Sequence, residues 1–140
     1  MKIKFKTLRN NVIPPNRAHY NDAGADIYCP YDWILGPHET HAFPLGISLE
    51  LPDGVMCCVY PRSGLTKKGV ISQLPPIDSG YTGEIHCLLT NTTDKTVEIK
   101  EYDKIGQLVI IPIILADFVE NLGEERKEGA FGSTDENKTL

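Results

Sequence analysis

The chain has 140 residues, of which 41% are hydrophobic and 24% charged, and its formal net charge at pH 7 is −5. This length suits one domain with a hydrophobic core and is too short for two independent domains. The negative charge argues against non-specific binding to duplex nucleic acid, which depends on surplus lysine and arginine. No apolar run is long enough to span a bilayer. We therefore expect one domain that binds neither nucleic acid directly nor membranes.

The N-terminus and the cysteines indicate a reducing compartment. The first six residues alternate lysine with apolar residues after the initial Met1, whereas a secretory signal has a basic segment followed by a continuous apolar one. We therefore expect a cytoplasmic protein. The four cysteines form no C-x-x-C pair, and free cysteine is among the most buried residue types. Reduced thiols in the core are expected in preference to a metal or redox site at Cys29, Cys57, Cys58 and Cys87.

Strands dominate the predicted secondary structure. Ten prolines and twelve glycines interrupt the chain so often that no segment keeps helical periodicity for three turns, whereas short alternating runs are common. The clearest predicted strands are residues 2–8, 46–51, 55–60, 84–90, 96–99 and 104–111. Turn residues at 52–54 and 91–95 predict hairpins between the strands that flank them. The expected fold class is all-β with antiparallel neighbours.

A short helix and a C-terminal arm complete the predicted organisation. The helix is expected at residues 63–68, with Ser63 as its N-cap. From residue 121 onward the chain is charged and has few large apolar residues, as is typical of a flexible segment. We expect a β domain at residues 1–120 and a flexible arm at residues 121–140. Such a tail is often inert, but Phe131 beside glycines and hydroxyls suits a lid over a planar, anionic ligand.

The familiar nucleotide and zinc motifs are absent from the sequence. There is no G-x-x-x-x-G-K-[ST] loop and no G-x-G-x-x-G opening a helix. His38 and His41 have the wrong spacing for zinc, and His19 and His86 are isolated, so structural or surface roles are expected for the histidines. A nucleotide site would have to be built from other segments.

Five segments are more polar or richer in glycine than a β domain requires, and they lie at strand ends, in turns and in the tail. An acid, Asp26, interrupts an expected buried strand at residues 23–28. Segment 61–65 ends a strand and opens the helix, so that amides, a hydroxyl and a guanidinium could face a phosphate. The others are a glycine-rich acidic turn at 77–84, a strand with a glycine and a glutamine at 104–108, and the tail at 126–134. Taken singly, the first three segments could be an edge-strand acid, an ordinary helix cap and a simple turn.

In this order, the five segments resemble the five motifs of the homotrimeric deoxyuridine triphosphate nucleotidohydrolases, the dUTPases. The resemblance runs from about residue 23 to residue 134. Its most specific pieces are Pro61-Arg62-Ser63-Gly64-Leu65, Ile77-Asp78 followed by Tyr81 and Gly83-Glu84, and Phe131 five residues after Arg126.

The resemblance implies a distorted jelly-roll, or β-clip, fold with one short helix and a flexible C-terminal arm. It also implies Mg²⁺-dependent hydrolysis of dUTP to dUMP and pyrophosphate. That reaction would limit uracil incorporation into DNA and supply dUMP for dTMP synthesis. Active sites would be shared between the subunits of a homotrimer, with the arm lent by another subunit.

The resemblance also implies a role for each candidate residue. Asp78 would deprotonate the water that attacks the α-phosphorus, and Tyr81 would stack under the deoxyribose and exclude a 2′-hydroxyl. Asp26 would hold Mg²⁺ through coordinated water, and Phe131 would lie over uracil. The remaining contacts, mainly to phosphates, would come from Arg62, Ser63, Gly64, Gln107, Arg126, Gly132, Ser133 and Thr134.

Uracil would be bound by the main chain between Ser72 and Ile77, whose strand-like amides mimic a base partner. The chain departs from the family here, because Pro75-Pro76 replaces a segment in which glycine usually stands three residues before the catalytic acid. The two prolines remove two N–H donors. A side chain, from Ser72 or Gln73, is therefore expected to help bind the base beside Pro76 and Ile77.

Two alternatives to dUTP hydrolysis stay open. The related dCTP deaminases use a glutamate and a Ser/Arg-rich second segment, and this chain lacks that segment. A trimeric protein that binds nucleotide and engages a regulatory protein is the other alternative. The joint presence of Asp78, Gln107 and Phe131 favours hydrolysis, because a binding module needs no base.

Overall fold

The computed structural model describes residues 1–121 and 123. Within that range the chain forms ten strands and one helix. In chain order they are β1 (Lys4–Thr7), β2 (Ala25–Tyr28), β3 (Trp33–Leu35), β4 (Thr40–Pro44), β5 (Ile47–Glu50), β6 (Val55–Tyr60), α1 (Ser63–Thr66), β7 (Val70–Gln73), β8 (His86–Asn91), β9 (Val97–Ile99) and β10 (Lys104–Pro112). Nearly all of the arm predicted at residues 121–140 lies outside the described residues.

The strands form four small sheets in which every pair is antiparallel. β1 pairs with β5, and β3 pairs with β9. β10 is the central strand between β2 and β6, while β8 is the central strand between β4 and β7. The expected all-β, jelly-roll-type fold with antiparallel neighbours is confirmed.

All six strands predicted from the sequence are present, with bounds that agree within two residues at each end. Both predicted hairpins are wrong. β5 and β6 flank the turn at 52–54 but belong to different sheets, and so do β8 and β9 on either side of the turn at 91–95. Gly54 has the expected left-handed conformation, with φ 91°. A turn fixes only the local change of direction. Successive residues are buried along β5 and along β6, so both faces of each strand must be covered by segments that are distant in the sequence.

The helix is shorter than predicted, and its N-cap is Arg62 instead of Ser63. Arg62 keeps an extended backbone, with φ −99° and ψ 141°, and Ser63 is the first helical residue. The Arg62 side chain reaches Asp26 of β2, which favours continuing the extended conformation beyond the end of β6.

The core lies between the sheets and includes residues from two strands, β3 and β4, that were not predicted. Leu35 of β3 and Phe43 of β4 are fully buried, together with Ile47 and Ile85. Asn91 is also fully buried, and its side-chain amide donates to the carbonyls of Leu35 and Lys95. This satisfied polar side chain holds the turn after β8 against the core. Within the described residues, no helix is long and apolar enough to cross a membrane.

All four cysteines are free and buried, which confirms the expectation of reduced core thiols. Burial raises the pKa of Cys29 to about 11 and the pKa of both Cys57 and Cys87 to about 12, against a usual value of 9.0. The folded state therefore favours the neutral thiols. The stability that these three buried thiols contribute is complete below pH 9. It is lost as the pH rises from 9 through their raised pKa values.

We expect the native thiols to react poorly with an aromatic disulfide reagent at pH 8. A pKa raised from 9.0 to about 11 lowers the thiolate fraction by about 100-fold, and burial slows access further. Four thiols should react once the chain is unfolded in denaturant. Rapid reaction of two or more thiols in the native protein would contradict this packing.

Candidate active site

Three of the five polar segments meet in the sheet formed by β2, β10 and β6. Gln107 of β10 lies opposite Asp26 of β2 on one side and Tyr60 of β6 on the other. Arg62 follows two residues after Tyr60. We call Asp26, Arg62, Lys104 and Gln107 the polar cluster.

The polar cluster is held together by charge-assisted contacts. Arg62 Nη1 lies 3.2 Å from Asp26 Oδ1, and Lys104 Nζ lies 3.2 Å from Asp26 Oδ2. Gln107 Nε2 donates to the Pro61 carbonyl at 3.1 Å. The Asp26 side chain is only 14% exposed. Because two cations share one carboxylate, the cluster carries a surplus positive charge that favours an anion.

Two glycines let the cluster pack this tightly. A Cβ on Gly24 would lie 2.6 Å from Gln107 Oε1, and a Cβ on Gly106 would lie 3.1 Å from the Tyr60 carbonyl oxygen. Gly106 thus stands where another part of the chain comes close to β10, as is typical of glycine inside a strand.

The start of α1 adjoins the polar cluster through Arg62. Ser63 and Gly64 are exposed, and the first amides of a helix lack acceptors within it. A Cβ on Gly64 would meet no atom within 4 Å. The start of α1 thus offers main-chain donors and open space next to the Arg62 guanidinium.

A second candidate region is a cavity of about 280 Å³ beneath the loop between β7 and β8. We call it the loop cavity. Its walls are mostly apolar and include five of the predicted site residues: Gln73, Pro76, Ile77, Asp78 and Tyr81. Asp78 is exposed, so its carboxylate is accessible to solvent and ligand.

Hydrogen bonds fix both ends of the turn that carries Asp78. Ile77 exchanges two main-chain bonds with Cys57 of β6, at 2.8 and 3.1 Å. The Ser79 hydroxyl donates to Asp53 Oδ1 at 3.1 Å, and the Tyr81 hydroxyl donates to the Glu84 carbonyl at 2.7 Å. Asp78 is thereby held on a defined turn.

Few N–H donors remain for a base in the segment leading to Asp78. Pro75 and Pro76 have no N–H, and the Ile77 N–H is donated to Cys57. The buried Ser72 hydroxyl donates to the Val59 carbonyl at 3.1 Å, so it is not directed at the cavity. Gln73 lines the cavity, and its Nε2 donates to Thr90 Oγ1 at 3.1 Å. Of the two proposed side chains, only Gln73 is placed to contact a ligand there.

One chain does not bring Asp78 and the polar cluster together. Ile77 lies beside Cys57 and Ser79 contacts Asp53, so the Asp78 turn is next to the beginning of β6. Arg62 lies beyond the other end of that strand. Six residues separate position 56 from Arg62, which corresponds to roughly 20 Å of extended chain. Asp78 and Arg62 therefore lie near opposite ends of β6 in one chain.

Lys104 was not among the site residues proposed from the sequence. The pairing of β10 with β2 shifts register between Lys104 and Gly106, which accompanies the contact of Lys104 with Asp26. Regular alternation would place residues 104 and 107 on opposite faces of a strand. The glycine at 106 was the available signal, because glycine in a strand often marks a bulge.

The predicted residues of the arm lie outside the described residues. They are Arg126, Phe131, Gly132, Ser133 and Thr134. Their proposed contacts with substrate therefore stay predictions.

The described residues offer magnesium a single carboxylate and no enclosed site. Among them, no group of three or more His, Cys, Asp and Glu side chains could enclose a metal ion. Asp26 supplies one carboxylate, held between two cations. Mg²⁺ keeps several waters and takes further ligands from substrate phosphates, so one carboxylate beside a phosphate site fits it.

Comparisons with known proteins agree on one family. The dUTPase family model matches residues 10–135. The chain is 38% identical over 138 residues to the deoxyuridine 5′-triphosphate nucleotidohydrolase of Clostridium tetani, covering 94% of this chain and 95% of that protein. It is 40% identical over 127 residues to that of Cutibacterium acnes, covering 86% and 84% of the two chains.

Solved structures extend the comparison to the fold. A mutant dUTPase from phage phi11 of S. aureus, described with a coordinated structural Mg(II) ion, matches with a TM-score of 0.82 at 24% identity. The match covers 90% of this chain and 100% of the phage chain. On the family model and the near full-length identities, this chain belongs to the dUTPase family.

Proposed function

We propose that the protein hydrolyses dUTP to dUMP and pyrophosphate with Mg²⁺, and thereby limits uracil incorporation into DNA and supplies dUMP for dTMP synthesis. The observation that carries this proposal is the combination, in a dUTPase-family chain, of an anion-binding polar cluster with a cavity that presents one carboxylate. The cluster suits a triphosphate, and the cavity suits a nucleoside beside a base.

Asp78 is the general base in this proposal. It accepts the proton of the water that attacks the α-phosphorus, and the bond from that phosphorus to the bridging oxygen breaks to release pyrophosphate. A carboxylate within hydrogen-bond reach of the water contributes roughly 10²- to 10⁴-fold. Its place on a turn fixed through Ile77 and Ser79 supports this role, because a positioned base needs little reorganisation.

Tyr81 selects the sugar by contact. Its ring lines the loop cavity and is 44% exposed, so one face is available to a deoxyribose. A 2′-hydroxyl would have to fit between ring and sugar. Gln73 contacts uracil, with its carbonyl oxygen as acceptor while its amide group donates to Thr90. Main-chain carbonyls next to Pro75 and Pro76 accept from uracil N3–H, because the prolines supply no N–H that could donate to the base.

The polar cluster holds the phosphates. Arg62 and Lys104 turn from Asp26 toward phosphate oxygens when the triphosphate arrives, and Gln107, Ser63 and Gly64 add neutral donors. Asp26 is the residue that would hold Mg²⁺, through coordinated water. When bound, the ion neutralises charge on the phosphates and aligns them for in-line attack.

The C-terminal arm at residues 121–140 closes the site. Phe131 covers the uracil ring beside Gly132, while Arg126, Ser133 and Thr134 reach the terminal phosphates. Closure excludes bulk water and orders the triphosphate. Residues 1–120 form the β domain from which the arm extends.

The active form is a homotrimer with shared sites. Support comes from the position of the Asp78 turn beside the beginning of β6 and of Arg62 beyond its other end, roughly 20 Å of extended chain away, a distance that a neighbouring subunit would bridge. Further support comes from the segment after β10, where Ile114, Leu115, Phe118 and Val119 are 72 to 98% exposed. Apolar side chains in such a run are typical of an interface. We place the enzyme in the cytoplasm, where nucleotide pools are used.

Pyrophosphate release from separate incubations with dUTP, UTP, dTTP and dCTP tests the proposed function. With Mg²⁺, dUTP should be hydrolysed at least about 100-fold more efficiently than the others, a preference within the range that a polar, shaped pocket can supply. Chelation of the metal should remove most of the turnover. Equal turnover of the four nucleotides would contradict the proposal, and ammonia release from dCTP without pyrophosphate from dUTP would favour a deaminase.

A further inference from the structure

Arg9 is distant in sequence from the loop cavity but contacts its wall. Arg9 Nη2 donates to Glu84 Oε2 at 2.5 Å, across 75 residues of sequence, and more weakly to the Pro44 carbonyl at 3.4 Å. The same Glu84 oxygen accepts the Gly46 N–H at 2.8 Å. Glu84 is one of the residues that line the loop cavity. The family motifs described above do not include Arg9.

The contact lies at the surface, and its carboxylate is partly shielded from solvent. The Glu84 side chain is 22% exposed and that of Arg9 is 47% exposed. The Arg9 hydrogen bond lowers the pKa of Glu84, against an opposing effect of burial, and the Gly46 N–H contributes in the same direction as Arg9. The carboxylate therefore stays charged at neutral pH and keeps both donors.

The backbone at Gly46 leaves the space that Arg9 occupies. Gly46 has φ 74°, and a Cβ there would lie 2.6 Å from Val12 Cγ2 and 3.2 Å from Arg9 Nη2. Any other residue would be strained and would crowd the guanidinium. The two neighbours of Gly46 bind the residue after Glu84. Ile85 donates to the Ile47 carbonyl and accepts from the Leu45 N–H.

Glu84 in turn supports the Tyr81 ring. The Tyr81 hydroxyl donates to the Glu84 carbonyl at 2.7 Å. A Cβ on Gly83 would lie 2.7 Å from that hydroxyl oxygen, so the ring end packs against the backbone just before Glu84. The position of the ring thus depends on the position of the Glu84 backbone.

We propose that Arg9 is a positioning residue for sugar selection: through the Glu84 carboxylate it fixes the backbone on which the Tyr81 ring rests, and so sets the clearance beside C2′ of the nucleotide. This inference rests on the proposed hydrolysis of dUTP. A role in stability alone would lower activity toward all substrates in the same proportion. A role in positioning changes the ratio between deoxyribose and ribose substrates.

The test compares kcat/KM for dUTP and UTP in wild type and Arg9→Ala. The ratio of dUTP to UTP should fall about tenfold in Arg9→Ala, because a ring that can shift by a fraction of an ångström discriminates less. Arg9→Lys keeps a cation at the position and should recover part of the ratio. Lys100→Ala removes an exposed pair with Glu98 and should leave the ratio unchanged.

A double-mutant cycle shows whether Arg9 acts through Glu84. In a Glu84→Ala background, Arg9→Ala should have no further effect on the ratio, whereas independent roles would multiply. Thermal unfolding of each variant identifies loss of fold. If Arg9→Ala does not fold, Arg9→Lys and Glu84→Gln provide the same comparison with smaller changes.

The outcomes separate the two proposals. A wild-type enzyme that hydrolyses dUTP and UTP equally would contradict the proposed function itself. A wild-type preference for dUTP that stays the same in folded Arg9 and Glu84 variants would overturn the positioning role and leave the proposed function intact. If the effects of Arg9→Ala and Glu84→Ala on the ratio multiply in the double mutant, the positioning role would also be overturned.

Discussion

Asp78→Asn should lower kcat for dUTP by about 10²- to 10⁴-fold, the usual contribution of a general base. Asparagine has nearly the same shape but cannot take the proton from water. Affinity for dUTP should stay within about threefold of wild type, because the base acts in the transition state more than in binding. Single-turnover rates give the loss in the chemical step, and calorimetry with a non-hydrolysable α,β-imido analogue gives the affinity.

A matched control separates this effect from a general change of surface charge. Asp94 is an exposed acid that contacts His38 and does not line the loop cavity. Asp94→Asn should keep wild-type kcat. Both substitutions affect exposed side chains, so the free energy of unfolding should change by no more than about 0.5 kcal/mol. Wild-type kcat in Asp78→Asn would show that another group activates the water.

The strands were predictable because alternation and turn residues are local signals. β6 matches its predicted bounds, since the run from Val55 to Tyr60 is rich in β-forming residues between two turns. Strand pairing was not predictable from the turns. The turn residues before β6 correctly signal a reversal, but β6 pairs with β10, about 50 residues later in the sequence. Such long-range pairing depends on which faces must be buried together.

The candidate site was predictable as a set of residues but not as an arrangement. Polar or glycine-rich positions inside strands, such as Asp26 and Gly106, marked where unusual contacts occur. The cation pair around Asp26 depends on a register shift in β10, which the sequence does not specify. The Ser72 hydroxyl could not be separated from Gln73 by sequence, because strand alternation gives two faces without saying which one is buried. In the structure, Ser72 is the buried one.

The separation of Asp78 from Arg62 predicts that two inactive variants can complement each other. Asp78→Asn lacks the base, and Arg62→Met lacks the phosphate-binding guanidinium while keeping most of the side-chain stem. Each alone should have little activity. The two chains are unfolded together in equal amounts and refolded. In a site that takes its base from one subunit and its guanidinium from another, each of these two groups is intact in half of the cases, so both are intact in one quarter.

The refolded mixture should therefore recover about one quarter of wild-type activity, as random assembly of shared sites requires. The two variants refolded separately and then combined are the control, and they should stay inactive as long as the subunits do not exchange. Pyrophosphate release from dUTP is the measurement. Recovery near one quarter is the result expected for an active site built between subunits from Asp78 and the polar cluster. No recovery above the separate controls, in trimers shown to contain both chains, would contradict it.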